Sequence, residues 1–259
     1  MKQRTIGAII LLLILIFCLV ANSNIFGIAM LIVAVLGFNE LFNIKYRDKK
    51  LIIVKLLGII SLILITLNNT FYQVNMSIVI LLPLLILSIP IVYYNNNEIY
   101  NIDDCLYVLG IVYFLGLSFG NIIFLRETNI IRCIFIFIIA FSTDTYAYIG
   151  GSLIGKHQLI SMSPKKTVEG SILGTFMGVL IGSVYYYNLI GNITVPKVIF
   201  LCLVLSVLSE IGDLVFSSIK RYFDKKDYSN LIPGHGGILD RFDSVIYVSL
   251  GFSLILGIF

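Results

Sequence analysis

Tryptophan is absent from the chain, charge is sparse, and no cysteine has a partner at short spacing. Each shortage removes a class of protein. Charged residues are only 12% of the 259, and no stretch is polar enough to form a soluble domain of any size. Cys18, Cys105, Cys133 and Cys202 each stand alone in an apolar run. No pair has metal-ligand spacing, so they read as buried free thiols. Without Trp, an aromatic belt at a membrane interface has to come from the 15 Tyr. The net charge of +4, from 18 basic and 14 acidic residues, is better read as membrane topology than as nucleic-acid binding. No internal repeat, low-complexity segment or linker divides the chain.

What remains is apolar. Hydrophobic residues are 59% of the sequence, and the mean hydropathy is +1.01. Many runs approach the length that crosses a bilayer. The expected fold is an all-α polytopic membrane protein of about nine transmembrane helices. They run near residues 6–20, 25–42, 51–67, 77–94, 105–125, 130–148, 170–189, 198–219 and 242–259. Ala21-Asn22-Ser23 resembles a signal-peptide cleavage site, but a retained first helix is the favoured reading. Residues 1–125 read as scaffold and 126–259 as the catalytic region of one integral fold.

With the N-terminus inside, Lys2, Arg4, Lys45, Arg47, Lys49, Lys50, Lys55, Lys156, Lys165, Lys166, Lys220, Arg221, Lys225, Lys226 and Arg241 all fall on the inner side. Only Arg126, Arg132 and Lys197 fall outside. That bias sets the orientation and puts the motif-rich loops on the cytoplasmic side. The expected location is the inner (plasma) membrane of a bacterium.

A charge within a membrane segment costs roughly 2.5 to 3.5 kcal/mol on insertion scales, so the acidic residues in these runs invite an explanation. Glu40 lies near a basic loop and reads as a snorkelling or paired residue. Glu210, Asp213, Ser217, Lys220 and Asp224 are spaced 3, 4, 3 and 4. That spacing makes one polar stripe on helix eight, facing protein or a water cavity. Either an internal ion pair or a metal or phosphate site would explain it. Asp240 and Asp243 share a face if the last helix begins there, and hard oxygen ligands suit Mg²⁺. Between these groups, Pro233, Gly234, Gly236 and Gly237 frame His235 in a turn whose backbone N–H groups can meet an anion. Taken alone, His235 reads as a loop residue.

Asp144, in the polar cluster Ser142-Thr143-Asp144-Thr145-Tyr146, can line the same cavity. Lys165 and Lys166 precede a helix start and can hold phosphate oxygens, or serve only as a positive-inside anchor. Ser163 or Thr167 can cap that helix. Gly170, Gly174, Gly178 and Gly182 recur every four residues, the pattern of a close helix–helix contact.

Taken together, these residues resemble the phosphatidate cytidylyltransferase (CDP-diacylglycerol synthase) family. Its signature is matched by Ser217, Ile219, Lys220, Arg221, Lys226, Asp227, Ser229, Ile232, Pro233, His235, Gly236, Gly237, Ile238, Asp240, Arg241, Phe242 and Asp243. Asp144, Tyr148, Gly151, Gly155-Lys156, Ser163 to Thr167 and Glu169-Gly170 resemble the family's second block, and Gly212-Asp213-Leu214 its Gly-Asp-Leu element. The resemblance covers about residues 140 to 243. Glu210 departs from it where the family often has Gln, and Thr145-Tyr146-Ala147-Tyr148 departs from a Gly-Ala-Tyr run.

The resemblance implies that CTP and phosphatidate give CDP-diacylglycerol and pyrophosphate. It implies catalytic roles for Asp213, Asp240, Asp243, Lys220 and Arg241, with Asp213, Asp240 and Asp243 holding Mg²⁺, two ions in all. Asp144, Lys165, Lys166, Ser217, Arg221, Lys226, His235, Gly236 and Gly237 would contact substrate. A second copy of the chain is a candidate partner. One rival is a CTP-dependent polyprenol kinase or another lipid-phosphate enzyme. Another is an ion-coupled transporter using Asp144 and Asp213, which has no evident need for the packed Lys-Arg, Gly-His-Gly-Gly and Asp-Arg-x-Asp elements.

Overall fold

A computed structural model describes residues 13–46, 51–68, 75–94, 99–160, 163–191, 193–231, 234 and 236–256. His235 lies outside them. The described chain is all-α, with nine helices: α1 (13–20), α2 (Ser23–Tyr46), α3 (Ile52–Leu67), α4 (Met76–Tyr94), α5 (Ile102–Thr128), α6 (Ile130–Ile154), α7 (Val168–Leu189), α8 (Val195–Tyr222) and α9 (Leu239–Leu256). Six of them, α2, α4, α5, α6, α7 and α8, are long and apolar enough to cross a membrane. Helix α3 is apolar but has 16 residues, and α9 opens on Asp240, Arg241 and Asp243. The protein is an integral membrane protein.

The chain divides into two compact units. The first is Met1–Glu127 together with Tyr228–Ile238. In it, α2 and α3 meet where Gly58 has no side chain, because a Cβ there would lie 2.5 Å from the Phe38 ring. Helix α5 meets α3 at Gly116 and Gly120, against Ile65 and Thr66. It begins three residues earlier than its apolar run. Asn101 and Asp104 cap that start reciprocally: the Asp104 N–H donates to Asn101 Oδ1 at 2.8 Å, and the Asn101 N–H donates to Asp104 Oδ2 at 3.2 Å. Asp104 also accepts from Tyr46 Oη and Lys45 Nζ, both at 2.9 Å. At the other end of α5, Arg126 donates to the carbonyls of Leu19 and Ala21 at 3.0 and 2.8 Å. It thereby satisfies carbonyls at the end of α1 that the helix itself leaves free.

The second unit is Thr128–Asp227 with Leu239–Phe259, and so holds α6 to α9. Asn129 caps α6 through the N–H of Ile131 at 2.8 Å. The four glycines of α7 face α6 and α8. A Cβ on Gly170 would strike Ala147 O and Gly151, one on Gly174 would strike Thr143 O, and one on Gly178 would fall on Thr143 and Ser206. The opposite face of α7 exposes Ile172, Phe176, Leu180 and Val184. Helix α6 runs six residues past the apolar stretch ending at Tyr148, because Gly150 and Gly151 continue the contact with α7 at Leu173 and Gly170.

Helix α8 ends at Tyr222, so Asp224 is not part of its polar stripe. Asp224 has φ 54°, its N–H donates to Arg221 O at 3.0 Å, and the Lys225 N–H donates to Lys220 O at 2.8 Å. This is a Schellman close with an aspartate where glycine is usual. The chain therefore turns away two residues sooner than the 3-4-3-4 spacing suggested.

Candidate active site

In the second unit, Glu210, Asp213, Lys220 and Arg221 gather in the C-terminal part of α8. At 1.5 Å per residue, a hydrocarbon layer about 30 Å thick takes about 20 residues of helix. Helix α8 has 28 residues, more than that layer needs, and Asp213 to Arg221 lie in its last three turns. Here α6, α7, α8 and the loop 155–167 enclose a cavity of about 240 Å³. Asp144, Ala147 and Tyr148 line it from α6, and Ser163, Lys165, Lys166 and Thr167 from the loop. Ser171 lines it from α7, and Glu210, Asp213 and Leu214 from α8. Asp144, Lys165, Lys166 and Asp213, singled out in the sequence, thus share one wall system.

The centre of the cavity is an ion pair: Lys166 Nζ lies 2.5 Å from Asp213 Oδ2. Ser217, one turn along, donates to Asp213 Oδ1 at 3.4 Å. The loop that delivers Lys166 is braced at several points. Residues 158 and 167 form an antiparallel bridge. The Leu159 N–H donates to Lys166 O at 2.9 Å, and the Lys166 N–H donates to Ser163 O at 3.0 Å. Thr167 caps α7 by accepting from the Gly170 N–H at 3.1 Å. Glu169 then accepts from the N–H groups of Lys156 and His157 and lies 2.6 Å from His157 Nδ1. Of the two caps the sequence offered, Thr167 serves as the N-cap, and Ser163 lines the cavity.

Glu210 is held by two hydroxyls of α7: Ser171 donates to one oxygen, and Thr175 donates to the other at 3.1 Å. These hydroxyls sit at i and i+4 beside the glycine face, a pattern present in the sequence but hidden among its small residues. Ser171 is a lining residue that sequence reasoning missed.

Helix α9 carries the second carboxylate pair. Lys220 Nζ donates to Asp240 Oδ1 at 2.6 Å, with both side chains largely buried. Asp243 is buried and within electrostatic reach of Asp213, Asp144 and Lys220. Gly212 allows this approach, because a Cβ there would lie 2.8 Å from the Asp243 carbonyl. Arg221, Lys226 and Arg241 are exposed, and Arg221 donates to the Lys225 carbonyl at 3.1 Å. Gly236 and Gly237 belong to the first unit, in the segment Tyr228–Ile238.

Among the described residues, no three His, Cys, Asp or Glu side chains are grouped closely enough to hold an ion by themselves. Asp144 and Asp213 line one cavity and are hard oxygen donors. Mg²⁺ characteristically takes one or two carboxylates and completes its shell with water and phosphate oxygens. The donor set fits that mode, with a phosphate-bearing substrate supplying the rest.

Glu40 is 6% exposed and accepts hydrogen bonds from Ser229 Oγ at 2.6 Å and from the Ile238 N–H at 2.9 Å. Of the two sequence readings, burial excludes snorkelling and leaves the paired one, with the signature segment supplying the partners. Its partners lie some 190 positions away in the chain, and no local pattern signals the contact.

A family model described as the cytidylyltransferase family matches residues 2–259. The chain is 31% identical over 253 residues to a protein named phosphatidate cytidylyltransferase from Staphylococcus haemolyticus, covering 96% of each chain. Proteins of the same name from Staphylococcus aureus and Staphylococcus epidermidis are 33% identical over 253 residues, again covering 96% of each chain.

Proposed function

The chain belongs to the cytidylyltransferase family, a nucleotidyltransferase, and from that premise we propose that it joins CTP to phosphatidate, giving CDP-diacylglycerol and pyrophosphate. The observation that carries this reading is the Lys166–Asp213 pair, with Asp144 and Lys165 beside it, in a cavity at the end of a membrane-length helix. A lipid phosphate has to meet a water-soluble nucleotide at such a place. A triphosphate entering the cavity replaces the carboxylate as the partner of Lys166, and Lys165 adds a second cation. Lys220, Arg221, Lys226 and Arg241 supply further positive charge to the crowded phosphates. Asp240 holds the Lys220 ammonium in place.

An oxygen of the lipid phosphate attacks the α-phosphorus of CTP, the bond to the β-phosphate oxygen breaks, and pyrophosphate leaves. Pre-positioned charge of this kind is the main contribution a protein makes to phosphoryl-type transfer. Asp213 and Asp243, with Asp144 beside them, would hold Mg²⁺, which neutralises phosphate charge when bound. Asp240 is a further carboxylate available to a second ion when Lys220 turns to substrate. The placement of basic residues supports a site on the cytoplasmic side of a bacterial inner membrane, in phospholipid biosynthesis.

The test is to follow each phosphate of CTP with purified protein and phosphatidate micelles. Label in the α-phosphate is expected in the lipid fraction, and label in the γ-phosphate in pyrophosphate. Transfer of the γ-label to lipid would instead identify a lipid kinase.

A further inference from the structure

We propose that Glu40 is a positioning residue that fastens both ends of the segment Tyr228–Ile238. The inference rests on the cytidylyltransferase reading of the site. One carboxylate oxygen of Glu40, Oε1, accepts from Ser229 Oγ at 2.6 Å and from the Ile238 N–H at 2.9 Å. These two partners stand near opposite ends of the segment. A further contact explains Gly237: a Cβ there would lie 2.5 Å from Oε1 and 2.7 Å from Oε2. The carboxylate fills the space that a side chain at 237 would need.

Gly234 and Gly236 have φ of 79° and 81°, conformations that glycine adopts freely and other residues rarely do. A glycine-rich turn samples many shapes unless something outside it selects one. Glu40 is placed to make that selection, being buried on α2 and pointed at both ends of the turn. Ile238 immediately precedes α9, whose first turn carries Asp240. The matched Ser229, Gly237 and Ile238 positions of the signature thereby acquire a shared role. They receive one acidic side chain from the N-terminal half of the chain, outside the signature itself.

The full-length protein in detergent tests this through Glu40→Gln, Ser229→Ala and the double variant. The amide keeps the size of Glu40 but loses its charge. Three results are expected of Glu40→Gln: a kcat at least tenfold below wild type, a KM for CTP within threefold, and tryptic cleavage after Lys225 and Lys226 at least tenfold faster. Adding Ser229→Ala to Glu40→Gln is expected to cost nothing further. Cleavage and kcat within twofold of wild type would overturn the proposal, as would independent, multiplying losses from the two substitutions. If Glu40→Gln does not fold, Ser229→Ala alone decides, with threefold faster cleavage expected and wild-type cleavage overturning. A wild-type protein that transferred no cytidylyl group would defeat the functional reading, and the cleavage comparison would still decide the anchor.

Discussion

Lys220 and Asp240 bind each other at 2.6 Å with side chains that are 12% and 5% exposed. A pair this well covered resists loss of one partner more than it adds by its presence. Asp240→Asn is expected to destabilise the protein by about 3 kcal/mol, the scale on which a buried pair is broken, as well as to abolish turnover. A lowered thermal midpoint in detergent, beside the loss of activity, checks this. An unchanged midpoint would mean that the Lys220 ammonium finds another partner of equal value. At this scale the sequence displayed the residue types but not their pairing. Asp213 and Asp240 were legible as acids among basic residues, because charge in a mostly apolar chain stands out. That Lys166 pairs with the first and Lys220 with the second depends on distances folding alone creates. Glu40 was visible as a charge, snorkelling or paired, but nothing in its own stretch of sequence named Ser229 and Ile238 as partners.

Among elements, α7 shows how far a spacing can be trusted. Its four glycines recur at one helical period and all four meet α6 or α8, as the pattern predicted. Gly178→Leu is expected to prevent folding or abolish activity, since its Cβ alone would fall on Thr143 and lie 2.5 Å from Ser206 Oγ. Gly110 of α5 is the control: an added Cβ meets nothing within 4 Å. Gly110→Ala is expected to raise stability by about 0.5–1 kcal/mol through helix propensity. The thermal midpoints of the two variants should therefore move in opposite directions, and a tolerated Gly178→Leu would place that face against lipid. Helix ends were less legible than helix faces. Asp224 keeps the 3-4-3-4 spacing yet leaves the helix, because the backbone closes at Phe223 with Asp224 in the left-handed region. Spacing reports a face only while the helix lasts.

For the whole molecule, the all-α membrane architecture was legible in composition, because apolar runs of bilayer length admit few alternatives. The grouping of Tyr228–Ile238 with the N-terminal unit was not, since a turn between two helices carries no signal of where its backbone will dock. Within the first unit, Arg126 meets the end of α1, and Lys45 meets the start of α5. In intact cells, an impermeant thiol reagent is expected to label Thr194→Cys and to spare Asn230→Cys until the membrane is opened. Both positions are exposed, and the four native cysteines are buried. Fast labelling at 230 from outside would reverse both the topology and the side of the reaction.

The central claim is that the cavity around Asp213 is where CTP meets the lipid phosphate. Its most direct test is the rate of CDP-diacylglycerol formation by Asp213→Asn beside wild type, across a matrix of CTP and Mg²⁺ concentrations. The amide keeps the shape of the side chain but not the charge that Lys166 and a hard cation require. The expected result is a folded protein whose kcat falls by about 100-fold or more, the scale of losing one electrostatic contact to the transition state, and which added CTP does not rescue. A near-wild-type rate for Asp213→Asn at limiting Mg²⁺ would contradict the account.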